Sequence, residues 1–349
     1  VSWQFVDPPP AEPPLHPRRG LHDPVVGSPV RRPGSVRRTI TIDALHPDGA
    51  DGDLHLVGRG RDLVTAPDGV AAQADAARFH LELAFSGGRE IRRLEADPAV
   101  PALRQLVATG GTSGFRRRLA ELLPELDQRL PLLAAMLDDV SVVGLISGYA
   151  VSRMGYVLPG GRFLLAQADQ CAGWAQGGTI IENIEREGMP PMVTGPATPP
   201  LVRPDDPQGW HELPPLPPHG MRRHRRLDVV RSPAMPGAAD VDLFFRDSYQ
   251  SDGGPETVIH EYTVTARLDL ASGVLTEITA YPRVLPWVEC PFAAASASRL
   301  TGVAATDVRD VVRAQLRGTS TCTHLNDTLR SLVFVPALAS LLPGPAAAA

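Results

Sequence analysis

The sequence predicts an α+β fold built from two duplicated units, each an antiparallel sheet followed by helices. Three observations predict it. Runs in both halves alternate apolar and polar residues with the period of two that a half-buried strand requires. Each set of runs precedes segments whose apolar residues recur every three or four positions, as on one face of a helix. The strand runs also carry the same short motifs in the same order in both halves, with a proline-rich stretch between them.

Residues 1–36 hold nine prolines, which fix φ and remove ladder donors, so this segment reads as a disordered or surface-draped tail. The first unit spans 37–147, with strands expected at 37–43, 53–62, 79–85 and 90–98 and a Gly87-Gly88 turn. Phe115, Leu119, Leu122, Leu123 and Leu126 mark a helix face, and a last helix runs over 130–140. The inter-repeat segment 148–221 contains eleven prolines between Met189 and Gly220. The second unit, 222–341, repeats the plan with strands near 225–230, 240–247, 259–268 and 274–281, a Ser272-Gly273 turn, a helix face at Val308, Val311, Val312 and Leu316, and a last helix over 323–335. Residues 342–349 form a tail.

The repeated motifs are Arg37-Arg38 and Arg225-Arg226, Arg61-Asp62 and Arg246-Asp247, Phe79-His80 and Ile259-His260, and a closing Asp97-Pro98 and Tyr281-Pro282. The last helices align at one constant offset, Leu133 on Leu325 and Leu137 on Leu329. Under it Cys322 falls on Leu130 and His324 on Leu132. The N-terminal copy is therefore expected to be degenerate and structural, and the C-terminal copy to carry the chemistry.

Composition narrows the function classes. The 349 residues are 43% hydrophobic and 21% charged, with a formal charge of -5 and a pI near 6.1, which gives no overall attraction to nucleic acid. All 34 cationic side chains are arginine, which excludes a Schiff-base lysine and a phosphate loop ending in Lys-Ser/Thr. The run Arg222 to Arg226 reads as a solvated strand entry or a set of salt-bridge donors rather than an anion site. No uncharged apolar run reaches about 18 residues, so no membrane span is expected, and the N-terminal residues lack a signal pattern. Three cysteines make no disulfide framework, so a reducing, cytoplasmic setting is expected.

Cys290, Cys322 and His324, with His260 on a neighbouring strand, form the candidate metal site. Two thiols and two imidazoles suit zinc. Both cysteines head helices, where the positive end of the helix favours the thiolate. Glu261 is the candidate base for a metal-bound water, while Asp247 and Asp169 are further candidate catalytic carboxylates. Asp169 belongs to a glycine-rich stretch with Cys171 and Trp174 that suits a ligand-covering loop. Three readings of the cluster stand side by side: metal binding, a buried metal-free Cys/His group, and a Cys290–Cys322 disulfide.

The motifs Ile259-His260-Glu261, Cys290-Pro291 and Cys322-Thr323-His324-Leu325 resemble the signature of the bacterial domain of unknown function 2889, well over 225–340 and loosely over the whole chain. A more distant likeness is to the NifU-type iron-sulfur scaffold, whose three ligand positions would fall on His260, Cys290 and Cys322. That resemblance implies a metal or sulfur carrier, but a histidine at the first position and the added His324 favour zinc over a cluster. The leading expectation is a metal-dependent hydrolase or lyase of small-molecule catabolism, acting on an organic acid, aromatic compound or thioester. The alternatives are the non-catalytic carrier and a pseudo-symmetric protein-interaction module.

Overall fold

Eight strands join in one antiparallel sheet that runs through both halves of the chain. The computed structural model describes residues 4–5, 14–84, 89–157 and 161–344. In chain order the elements are β1 (Gln4–Phe5), β2 (Ser35–Leu45), β3 (Leu54–Thr65), β4 (Ala71–Leu83), β5 (Ile91–Asp97), α1 (Phe115–Leu122), α2 (Leu126–Arg129), α3 (Pro131–Ile146), α4 (Gly148–Arg153), β6 (Tyr156–Val157), α5 (Thr179–Glu187), β7 (Met221–Arg231), β8 (Ala238–Gln250), β9 (Glu256–Asp269), β10 (Leu275–Val284), α6 (Val308–Gln315), α7 (Thr323–Arg330) and α8 (Val335–Ala339). Short 3-10 segments join them, the longest over Cys290–Leu300. The expected Gly87-Gly88 turn, and residues 1–3, 6–13 and 345–349 of the expected tails, lie outside the described residues.

The strand order is β10-β9-β8-β7-β2-β3-β4-β5. Two four-stranded meanders are thus fused through their first strands, paired from Ser35↔Val230 to Ala44↔Met221. The Ser272-Gly273 turn closes β9 onto β10, with Gly273 at φ 71. Most apolar strand residues lie on one side of the sheet and receive the helices, while Phe244 packs with Trp210 and Leu201 on the other. Gly60 lets α3 come down on β3, because a Cβ there would stand 2.8 Å from Met136 Sδ, and Gly58 makes room for the Phe79 ring of β4, which a Cβ would approach to 2.2 Å. The stretch Pro131–Arg153 is long and apolar enough to cross a membrane by length and composition, yet 67% of its most apolar 18-residue window is buried inside the protein. Its Asp138 and Asp139 are spent on ion pairs with Arg330 and Arg225.

Over β2, β7 and β8 the other side of the sheet is covered by coil. Residues 14–34 do not hang free: Gly27 and Ser28 donate to the carbonyls of Pro200 and Leu201, and Gly20 donates to Pro286. Prolines offer carbonyls but no N–H, so this layer needs donors from the sheet. Buried arginines supply them, Arg37 to Pro29 O (2.7 Å), Arg222 to Pro214 O (2.8 Å) and Arg246 to Pro199 O (2.8 Å) and Val25 O (2.7 Å). This corrects the solvated strand entry expected at Arg222 to Arg226, since all five side chains from Arg222 to Arg226 are buried. Alternation sends Arg223 and Arg225 to the helix side and Arg222 and Arg226 to the coil side. Each meets a carboxylate there: Asp247 for Arg223, Asp139 for Arg225, Asp43 for Arg222 and Asp242 for Arg226.

Candidate functional site

The site begins with a β-bulge. On β8 and β9, Asp247 pairs with His260, while Ser248 already pairs with Val258, which leaves Ile259 as the extra residue. Beyond the bulge, His260 and Tyr262 point to the helix side beside Phe245 and Asp247. His324, on the first turn of α7, lays its ring on that of His260, with centroids 3.7 Å apart and planes 17° from parallel. Phe245 lies next to His324, 6.3 Å away and 27° from parallel. Asp247, fully buried, is gripped by Arg223, whose Nε and Nη2 donate to its two oxygens at 2.8 Å each. The donor atoms of Asp247, His260 and His324 all lie within 4.8 Å of one another.

These groups line a cavity of about 600 Å³ whose walls are largely apolar, among them Trp174, Trp287, Tyr149, Leu164 and Met192. Cys171, Cys290 and Cys322 line the same cavity, all three as free thiols. Two contacts bring them together from distant parts of the chain. Ala172 N donates to Thr321 O at 2.8 Å, which ties the Cys171 loop to the residue before Cys322. A Cβ on Gly173 would stand 2.9 Å from Cys290 Sγ, so only glycine lets the loop pass this close. Glu289 anchors the same wall by accepting from Thr179 N at 2.9 Å and Arg18 Nη2 at 2.6 Å.

Burial sets the charge state. It lowers His324 to about 3, helped by Arg223 and Arg225, and drives His260 well below the usual range, helped by His324. Both imidazoles are therefore neutral at pH 7. Burial raises the Cys322 thiol to about 11 and Cys290 well above its ordinary value, and it also raises Cys171. This corrects the expectation that helix N-termini activate Cys290 and Cys322: desolvation outweighs the backbone N–H groups that face the sulfurs. The buried Tyr262 hydroxyl lies against the Cys322 thiol, and His260 Nδ1 is buried without a hydrogen-bond partner. For Arg223, burial works against the charge, but Asp247 and then Asp139 outweigh it and hold the guanidinium above its ordinary value.

Set against the sequence reading, the structure brings His260, His324 and Asp247 into one group and puts Cys290 and Cys322 on the same cavity without joining them to it. Glu261 is a correction. It follows His260 on the strand and so points to the opposite face, where it is fully buried, pairs with Arg246 (2.5 Å) and accepts from Val25 N (2.6 Å). Asp169 is another. It is exposed, at φ 64, and accepts from Gln176 N at 2.9 Å, so it shapes the loop that delivers Cys171 and Trp174 rather than facing the cavity. Sequence reasoning missed Arg223 and Tyr262. Tyr262 was findable, because it stands two residues from His260 on one strand face; Arg223 needed the β7–β8 register that sets it opposite Asp247.

Residues 221–337 match the family described as "Protein of unknown function (DUF2889)". This segment contains His260, Cys290, Cys322 and His324, but not Cys171 or Trp174. No curated protein and no solved structure matches the chain.

Proposed function

Because the family that residues 221–337 match has no assigned activity, we propose the function from the cavity itself: an enzyme that takes a largely apolar small molecule and presents its reacting group to a divalent cation, zinc by preference, held by Asp247, His260 and His324. One observation carries this reading: two neutral imidazoles and a carboxylate converge on the floor of a 600 Å³ apolar cavity. The donor set fits such an ion. Nitrogen and oxygen ligands of this kind suit zinc, the rings keep their lone pairs, and His260 Nδ1 is buried without a partner. The stacked rings set one condition. For both rings to hold a cation, one imidazole would turn about its Cβ–Cγ bond, which is a soft torsion.

When bound, the cation would polarise a carbonyl or lower the pKa of a water, the chemistry of a hydrolase or a lyase. The chain's own groups do the rest. Arg223 fixes the Asp247 carboxylate, Trp174 and Trp287 exclude water, and the Cys322 thiol, backed by the buried Tyr262 hydroxyl, offers a proton at the wall. Asp247 is the one carboxylate among the described residues lining the cavity, and no arginine lines it there. Of an organic acid, an aromatic compound and a thioester, an aromatic body fits these walls best. Three free thiols support a cytoplasmic setting.

We read the mirrored strand order about the β7–β2 seam as an internal duplication. One detail departs from simple repetition: His80 faces away from the helices, whereas the Ile259 bulge turns His260 toward them. A second reading, a non-catalytic metal or sulfur carrier on a NifU-like scaffold, draws support from three buried thiols sharing one cavity. Metal counting on tag-free protein purified without chelator tests the leading proposal. His260→Ala and His324→Ala should each carry one zinc per chain fewer than the parent and lose turnover of aryl esters or thioesters. Variants that fold and keep the full metal content would refute it. Zinc bound without turnover of any such substrate would favour the carrier.

A further inference from the structure

We infer a second cation site, of the zinc class, on the solvent-facing side of the first meander, formed by His55, His80 and Glu82. It is independent of the cavity, which opens on the other side of the sheet. The sheet geometry builds it. His55 on β3 stands directly across from Glu82 on β4, and His80 is two residues from Glu82 on the same strand, diagonal to His55. Strand alternation puts all three on one face, the one that Leu54, Leu56, Phe79 and Leu81 leave to solvent as they enter the core.

The histidine pair already stands at the spacing of a coordination shell. Two nitrogens at zinc-ligand distance in a tetrahedron stand about 3.3–3.4 Å apart. His80 Nε2 and His55 Nδ1 are 3.3 Å apart, longer than an ordinary hydrogen bond. Their rings are tilted by 45° with centroids 5.3 Å apart and are not stacked face on face, so the two nitrogens meet at the ring edges. The stacked pair in the cavity lacks that property. Glu82 Oε1 is 3.8 Å from His80 Nε2, and all three donor atoms lie within 4.8 Å of one another.

The nearby competitor is weakly engaged. Arg93 stands 3.5 Å from Glu82 but makes its close pair, 2.7 Å, with Glu95. Three protein ligands leave a fourth position on the solvent side for water or for a donor from another molecule. A bound ion would clip β3 to β4 near the edge of the sheet.

Equilibrium dialysis of tag-free protein against zinc chloride, with metal counted per chain, tests the site. The test uses the full chain in a His324→Ala background, so that failure of the cavity proposal does not enter. His80→Ala and His55→Ala should each bind one zinc fewer than that background, and Glu82→Gln should bind at least tenfold more weakly. Cobalt(II) should give a tetrahedral visible spectrum that His80→Ala abolishes. The three side chains are partly exposed, so the variants keep the core, and circular dichroism checks this. Equal zinc binding in the background and in both folded histidine variants would overturn the inference.

Discussion

Replacing Asp247 by Asn and, separately, Glu261 by Gln asks whether neighbouring carboxylates on paired strands do different work because they face opposite sides of one sheet. Both are fully buried partners of a fully buried arginine, Arg223 for Asp247 and Arg246 for Glu261. Breaking a buried pair from one side costs about 3–5 kcal/mol, since the remaining charge stays buried. Glu261→Gln should fall in that range, because Arg246 then has no close ion pair and keeps the carbonyls of Pro199 and Val25 and the more distant charge of Glu256. Asp247→Asn should cost less, about 2–3 kcal/mol, because Asp139 remains 3.3 Å from Arg223 Nη1 as a second anion. Urea unfolding followed by circular dichroism reads the two costs, and metal counting on the folded fraction reads the site. The expected pattern is crossed: the Glu261 variant is the less stable and keeps its zinc, while the Asp247 variant is the more stable and loses one ion. Zinc lost from folded Glu261→Gln but retained by Asp247→Asn would refute the assignment of faces and the ligand set with it.

Two further outcomes follow from burial. Native protein should leave Cys171, Cys290 and Cys322 unreactive toward a thiol-specific disulfide reagent at pH 8 and release all three in denaturant, because a thiol near 11 such as Cys322 is ionised in only about one molecule per thousand at that pH; fast stoichiometric labelling of folded protein would show an accessible thiolate instead. Stability should also fall as pH drops below about 6.5. His46 and His211 are lowered by burial to about 4 and about 3, so the unfolded chain takes up protons that the folded chain refuses. The stabilisation is present above the unfolded value and is lost by about 1.4 kcal/mol per pH unit for each ring until its folded value is reached. His211→Gln should flatten the slope of stability against pH between 6 and 4, and an unchanged slope would contradict the neutral ring held between Thr39 and Thr41.

Much of this protein is local in origin and was legible in the chain. Alternation of apolar and polar residues marks strands because side chains on a strand point to opposite faces in turn, and the recurring Arg-Arg, Arg-Asp and apolar-His steps located the two meanders. His260 and His324 stood out because two imidazoles near thiols are chemically unusual whatever the fold. Register and facing are different. They depend on contacts between segments far apart in sequence, and a single extra residue, Ile259, reverses which face the following side chains occupy. That shift put Glu261 out of the site and left Asp247, anchored by Arg223, as the carboxylate beside the histidines. The charge state also came from tertiary structure alone: a helix N-terminus argues for thiolates, but the depth of the cavity keeps all three sulfurs protonated. The fused sheet and the proline-rich cover had the same origin, since only the assembled strands present the buried arginines that the proline carbonyls require.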